Sequence, residues 1–219
     1  MEQYLIHTCP KRKWYVDEFL VPSMKQQGIK SEQIKIYNDS YGEGQLVSLQ
    51  KSLRLTNNKD TWHLQDDIVI SKNFKALTEE YNEGVVCGFC NKYSSGPYGY
   101  VSLFSMWYSM PCIRIPADIF RNFVTWLQDG VNQRKFKMFF DENKHDDVLF
   151  EYFLKEAYPG LRVWNVNPNM VNHIDHLIGG SLINKNRAKT ASECMATYWD
   201  EIDIIVDIKN KLMERRKTG

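Results

Sequence analysis

The run Thr61-Trp62-His63-Leu64-Gln65-Asp66-Asp67-Ile68-Val69-Ile70 decides how the rest of the chain is read. Aromatic and apolar residues lead into two adjacent acids, and a second apolar run follows them. Trp, Val and Ile favour strands, so the acids are expected where a buried strand ends or bends. Two carboxylates crowded there repel each other, and desolvation adds to that cost. A divalent cation with oxygen ligands offsets both terms. Two solvated acids in a turn are the plainer alternative, and these ten residues leave both open.

Outward from this run, strands and helices alternate. Tyr4-Leu5-Ile6-His7 reads as a first strand, closed by the polar loop Thr8-Cys9-Pro10-Lys11-Arg12. Trp14, Phe19, Leu20 and Met24 recur at helical spacing up to Gly28, with Pro22 kinking or splitting the helix. Ile34 to Tyr37 is a second strand, followed by the turn-rich loop Asn38 to Gly44 and by a helix through Leu46, Leu49, Leu53 and Leu55. After the strand carrying His63 to Asp67, Ser71 caps a helix to about Tyr81, and Val85 to Phe89 is a fourth strand. This alternation predicts a largely parallel sheet covered by helices. Ligands of such sheets bind at the carboxyl ends of the strands, so the loops Thr8–Arg12, Asn38-Asp39 and Gln65–Asp67 are expected to meet on one edge.

The second half is less regular. Asn91 to Tyr100 reads as a Gly/Ser/Tyr loop, and Phe104 to Ile115 as an aromatic-rich stretch. Helices are expected from Ala117 to Asp129 and from Val148 to Ala157, the second opened by His145-Asp146-Asp147. Leu161 to Trp164 is a late strand. A loop from Asn165 to Ser181 follows, then one long amphipathic helix from Ala191 to about Lys217. No internal repeat or linker divides the 219 residues, which are expected to form one domain.

Hydrophobic residues at 43% and charged residues at 25% match an ordinary globular chain, and a net charge of +1 gives no global pull toward nucleic acid or membrane. Five scattered cysteines are no disulfide framework and point to a reducing compartment. The N-terminus lacks the pattern of a signal peptide, and no apolar run is long enough for a transmembrane segment. A soluble, cytoplasmic protein is expected.

The loops carry the chemistry. Asp39 can accept from a base or a ribose hydroxyl, and Arg12 can meet base or phosphate oxygens; ordinary loop chemistry explains either residue alone. A strand-helix-strand start, Asp39 after the second strand and Leu64-Gln65-Asp66-Asp67 after the next together resemble glycosyltransferases of the GT-A fold. The acidic metal motif of the branches concerned reads Leu-Glu-Asp-Asp or Leu-Asp-Asp-Asp, so Gln65 stands where an acid is usual. The resemblance implies an α/β three-layer sandwich with a mostly parallel central sheet and a C-terminal helix. Residues 1–90 would be the nucleotide-binding half, 91–190 the acceptor and metal half, and 191–219 the C-terminal helix. It further implies that Asp67 holds Mn²⁺ or Mg²⁺ against the diphosphate of a nucleotide-sugar, taken as a UDP-sugar. Thr8, Arg12, Asp39 and Asp66 would contact that donor.

Two more places match the same family. In its inverting members an acidic pair near His145-Asp146-Asp147 supplies the base that deprotonates the acceptor hydroxyl. That role falls to Asp147 first and Asp146 second, although two acids at a helix start also serve as a cap. Among Asn167-Pro168-Asn169-Met170-Val171-Asn172-His173-Ile174-Asp175-His176, His173 resembles a C-terminal histidine on the same ion, with His176 behind it; surface histidines are the alternative. Gly179-Gly180 would admit backbone to phosphate or close as a lid.

Cys87-x-x-Cys90 without a second pair reads as core packing ahead of a zinc site. Trp107-Tyr108 suits either stacking or core, and the basic tail from Lys209 to Lys217 is a solvated helix end by default. The expected function is transfer of a sugar to an acceptor hydroxyl. That acceptor is left open among a glycan, a protein, a lipid-linked sugar and modified DNA. A nucleotidyltransferase or metal-dependent phosphoester hydrolase using the same acids is the alternative enzyme, and a non-catalytic sugar-nucleotide-binding module the third possibility.

Overall fold

The computed structural model describes residues 2–89, 98–101, 110–142, 145–166, 169–174, 178, 207–208 and 210–215. The strands are β1 (Gln3–Thr8), β2 (Ile34–Asn38), β3 (Thr61–Gln65), β4 (Ile68–Ile70), β5 (Val85–Cys87), β6 (Tyr98–Val101), β7 (Cys112–Ile115), β8 (Val163–Val166) and β9 (Val171–His173). Seven of them form one sheet in the order β2-β1-β3-β7-β5-β8-β6, while β4 and β9 make a separate pair. Strands β1, β2, β3, β5 and β8 run in one direction, and β7 and β6 run against them.

The helices are α1 (Lys13–Tyr15), α2 (Val21–Gln26), α3 (Gln45–Thr56), α4 (Phe74–Glu80), α5 (Ala117–Gln128), α6 (Gly130–Lys135), α7 (Lys137–Glu142) and α8 (Asp146–Ala157). They cover both faces of the sheet, because strand residues alternate between faces. Tyr4, Ile6, Trp62 and Leu64 pack with Tyr15, Leu20, Met24, Phe74 and Leu77 on one side. Val85, Cys87, Ile113, Ile115 and Val163 pack with Leu46, Leu49, Phe120, Phe123, Phe150 and Phe153 on the other. The result is a three-layer α/β sandwich. The described residues 207–208 and 210–215 are helical, with Arg215 donating to Glu18 at 2.7 Å and stacking over Trp14.

The helix divides as Pro22 predicts, with the proline in the first turn of α2. Between α1 and α2 the chain widens into a π-helix, Val16–Leu20, in which the Val21 amide reaches the Val16 carbonyl. Proline has no amide to give and its ring crowds the preceding turn; widening that turn carries the helix past it. The acids of the run around Asp66-Asp67 sit where the buried strand ends, as its apolar flanks predict. β3 stops at Gln65, the acids make the turn, and Ile68–Ile70 leaves the main sheet to pair with Val171–His173.

Strand β7 replaces part of the aromatic stretch read from sequence. It lies between Pro111 and Pro116 and inserts antiparallel between β3 and β5. The end of the expected loop, from residue 98, belongs to strand β6, and α6 and α7 lie outside every helix expected from sequence. Cys90, Trp107-Tyr108, Pro168, His176, Gly179-Gly180 and residues 191–206 lie outside the described residues. Cys9 and Cys112 are free thiols. No helix among the described residues is long and apolar enough to cross a membrane.

Candidate active site

The three polar loops meet. Thr8, Cys9 and Arg12 after β1, Asp39 after β2 and Gln65, Asp66 and Asp67 after β3 line one cavity of about 620 Å³, together with Asp146 at the start of α8. The parallel arrangement of β2, β1 and β3 places all three strand ends on the same edge.

Asp66 and Asp67 are almost fully buried, as is Arg12. The Arg12 guanidinium answers both acids through one nitrogen, Nη1 donating to Asp66 Oδ1 at 2.9 Å and to Asp67 Oδ2 at 2.5 Å. The Cys9 amide donates to Asp66 Oδ2 at 3.3 Å. Sequence reasoning gave the task of neutralising this pair to a cation from solution, whereas the chain itself supplies half of the answer. The Ile174 amide donates to the Asp67 carbonyl at 2.7 Å, which docks β9 on the acidic turn. That brings His173 Nε2 to 3.1 Å from Asp67 Oδ2.

Burial pushes Asp66 up, and the neighbouring Asp67 charge adds to it. Burial pushes Asp67 up as well, but His173 and Arg12 outweigh it and hold this carboxyl well below its usual range. Burial disfavours the charged form of Arg12, and the two carboxylates overcome that, so the guanidinium stays firmly charged. One oxygen is left over: Asp67 Oδ1 is buried with no hydrogen-bond partner.

A divalent cation suits that oxygen. A carboxylate with an imidazole beside it is a donor set for Mn²⁺, and Mg²⁺ commonly takes one or two carboxylates plus substrate phosphates. No group of three or more His, Cys, Asp or Glu side chains is placed to hold one ion among the described residues. The protein's share would therefore be Asp67 and His173, with phosphate and water completing the shell. The described lining carries six carboxylates, Asp39, Glu43, Asp66, Asp67, Glu142 and Asp146, against one guanidinium. A nucleoside diphosphate entering this wall needs added positive charge.

Asp39 is busier than the sequence implied. Its Oδ1 accepts from the Glu43 amide at 2.9 Å and its Oδ2 from the Gly44 amide at 3.1 Å. Gly44 is the N-cap of α3 at φ 89°, a left-handed backbone that favours glycine. Asp39 thus ties the β2–α3 loop to the start of α3 and shapes the cavity wall. Replacing Asp39 with Ala is expected to lower folding stability by about 1–3 kcal/mol, the usual range for losing a charged hydrogen-bond acceptor, read as a reduced urea midpoint.

At the far wall the two acids of α8 separate. Each accepts from the next amide, Asp146 Oδ1 from Asp147 at 3.0 Å and Asp147 Oδ1 from Val148 at 2.8 Å, but Asp146 is buried and lines the cavity while Asp147 is absent from the lining. Burial, with the Asp147 charge as a second cause, pushes Asp146 up to about 8. His145 before it holds a left-handed φ of 63°, with Nε2 3.2 Å from Glu142 Oε2. Non-glycine residues held in that region cluster at functional sites.

Sequence reasoning missed His7 and Tyr37, register partners on β1 and β2 that line the same cavity. Period-two alternation was the available signal: Leu5, His7, His63 and Gln65 share one face. Gln65 pairs in register with His7, so this departure from the acidic motif lies beside His7.

No protein-family model matches the chain, and neither does any curated protein sequence. Among solved structures, a chain described as a glucose-1-phosphate thymidylyltransferase from Bacillus anthracis is similar at 8% identity and a TM-score of 0.42, over 72% of this chain and 84% of that one. A UDP-glucose pyrophosphorylase without ligand is similar at 10% identity and a TM-score of 0.45, over 98% of this chain and 82% of that one. Likeness at this level carries no argument about the reaction.

Proposed function

We propose that the cavity transfers a sugar from a nucleotide-sugar to an acceptor hydroxyl. The observation that carries this is Asp146, a buried carboxyl pushed up to about 8, lining the same cavity as Arg12, Asp66 and Asp67. A hydroxyl is a poor nucleophile until a base takes its proton, and a carboxylate with a raised affinity for protons near neutral pH is suited to take it. Asp146, rather than Asp147, is assigned this role. Asp67 and His173 would hold Mn²⁺ or Mg²⁺, which when bound stabilises the departing nucleoside diphosphate as a Lewis acid. Arg12 fixes Asp66 and Asp67 in place, and Asp39 holds the loop against which the nucleoside would rest. A base on the acceptor side of the sugar favours inversion at the anomeric carbon.

Nucleotidyl transfer using the same acids, Asp66 and Asp67, is the second reading. There the attacking group is a phosphate, already ionised at neutral pH and in no need of Asp146. Mass spectrometry of products from a panel of nucleotide-sugars separates the two. Sugar transfer or slow hydrolysis, releasing the nucleoside diphosphate, is the expected result. Pyrophosphate-dependent release of a nucleoside triphosphate would install the second reading instead.

A further inference from the structure

Two imidazoles in the cavity lining, His7 and His63, are not used by the proposed reaction. His7 Nε2 and His63 Nδ1 are 3.3 Å apart, their rings stacked with centroids at 5.6 Å. His63 is 2% exposed, its ring edge on Phe120 at 4.4 Å, and its Nε2 is buried with no partner. His7 is partly exposed, and both rings line the cavity. We propose that His7 reads the donor's nucleobase, and that the His63 imidazole behind it lets His7 offer the base either a proton or a lone pair. This rests on the cavity being a nucleotide site, as above.

The position of His7 follows from the ends of the cavity. Arg12, Asp66 and Asp67 in the lining, with His173 against Asp67 behind them, are the groups that answer a diphosphate. A nucleotide anchored there extends toward β1 and β2, where His7 and Tyr37 stand side by side with ring centroids at 6.4 Å, beneath the loop that Asp39 ties down.

The proton count gives the pair its property. Two neutral imidazoles carry two N–H protons on four nitrogens, and one of these is spent between the rings. If His7 Nε2 donates to His63 Nδ1, His63 keeps its own proton on Nε2, and His7 Nδ1 is a lone pair. If His63 Nδ1 donates to His7 Nε2, His63 Nε2 is bare and His7 Nδ1 carries a proton. In both arrangements one hydrogen bond joins the rings and the same atom, His63 Nε2, is left unmet. The two therefore differ little in cost, and a base edge with a fixed pattern decides between them. Burial favours neutrality in both rings, pushing His7 down to about 4 and His63 further.

Uracil and cytosine carry opposite donor and acceptor signs at ring position 3 and at the adjoining exocyclic group, so they are the natural probes. With ¹⁵N-labelled histidine, two-bond ¹⁵N–¹H spectra report which nitrogen of each ring is protonated. Assignment uses the variants His7→Gln and His63→Phe, and Mg²⁺ replaces paramagnetic Mn²⁺. UDP and CDP are expected to drive His7 Nδ1 into opposite protonation states, with His63 Nδ1 following in the same sense. In His63→Phe the UDP-to-CDP affinity ratio is expected to move by about tenfold, or 1.4 kcal/mol, while pyrophosphate affinity stays unchanged. Folding of the variant is checked by its urea midpoint, and His63→Leu serves in its place if the larger ring is not accommodated. Identical tautomers with both nucleotides, or an unchanged affinity ratio, overturn base reading by His7 and leave the nucleotide site standing. Absence of binding by either nucleotide or by pyrophosphate overturns both.

Discussion

Asp146→Asn is expected to lower sugar transfer about 100- to 10,000-fold, the range supplied by a positioned general base, with donor affinity changed by less than about twofold. Asparagine keeps the shape of the side chain and cannot take a proton. Calorimetric donor binding beside steady-state transfer rates separates the two effects. The parent enzyme carries a matching pH signature: only the ionised carboxylate is a base, so kcat/KM for transfer should climb with pH and level off above about 8. Full transfer activity in Asp146→Asn would remove the base from the mechanism, and inversion with it.

Asp146 also marks stability. Its carboxyl sits above the ordinary 3.8 in the folded chain, so between pH 4 and pH 8 the unfolded chain releases a proton that the folded chain retains. Stability therefore falls across that window, by up to about 1.4 kcal/mol per pH unit. The Asn variant has no such proton to lose. It is expected to unfold at higher urea than the parent at pH 7, with the gap closing near pH 4.

Arg12→Met is expected to cost about 3–5 kcal/mol of folding stability, the usual result of leaving a buried charge without its partner. Methionine matches the stem of arginine, so the change is mainly one of charge. Asp66 and Asp67 would then face each other, buried, with the Thr8 hydroxyl and Cys9 amide still on Asp66 and His173 on Asp67. The native Asp67 carboxyl is depressed, so its contribution is present above the unfolded value near 4 and fades as pH falls through the native one. The penalty of Arg12→Met should accordingly be largest at neutral pH and shrink in acid. Millimolar Mn²⁺ is expected to return part of the lost stability by binding the folded state. Urea midpoints at several pH values, with and without Mn²⁺, check both points. An unchanged midpoint would show that Arg12 does not neutralise the acids.

Much of the site was legible because its residues sit at strand ends, and strand ends are easy to read. Apolar runs at Tyr4–His7, Ile34–Tyr37 and Thr61–Leu64 located β1, β2 and β3, and their parallel pairing makes Thr8, Asp39 and Asp66 neighbours. The hidden parts are pairings that local sequence does not encode. β7 is four residues between two prolines, and nothing local says that it inserts between β3 and β5. Ile68–Ile70 looks like a continuation of β3, yet it pairs with residues a hundred positions later. That long-range pairing sets His173 beside Asp67. The choice between Asp146 and Asp147 turns on the rotation of a helix start, which two adjacent acids do not reveal.

The neutralising partner of the acids was legible in kind and not in identity. Crowded buried carboxylates demand positive charge, and Arg12 supplies one share from fifty-four positions away. Asp67 Oδ1, buried and unpartnered, is where the remaining share belongs. Titration calorimetry of UDP into the protein, with and without Mn²⁺, tests this most directly. Binding that requires Mn²⁺ and weakens at least about 100-fold in Asp67→Asn is the predicted result. UDP binding of equal strength without the ion, or undiminished in Asp67→Asn, would contradict it.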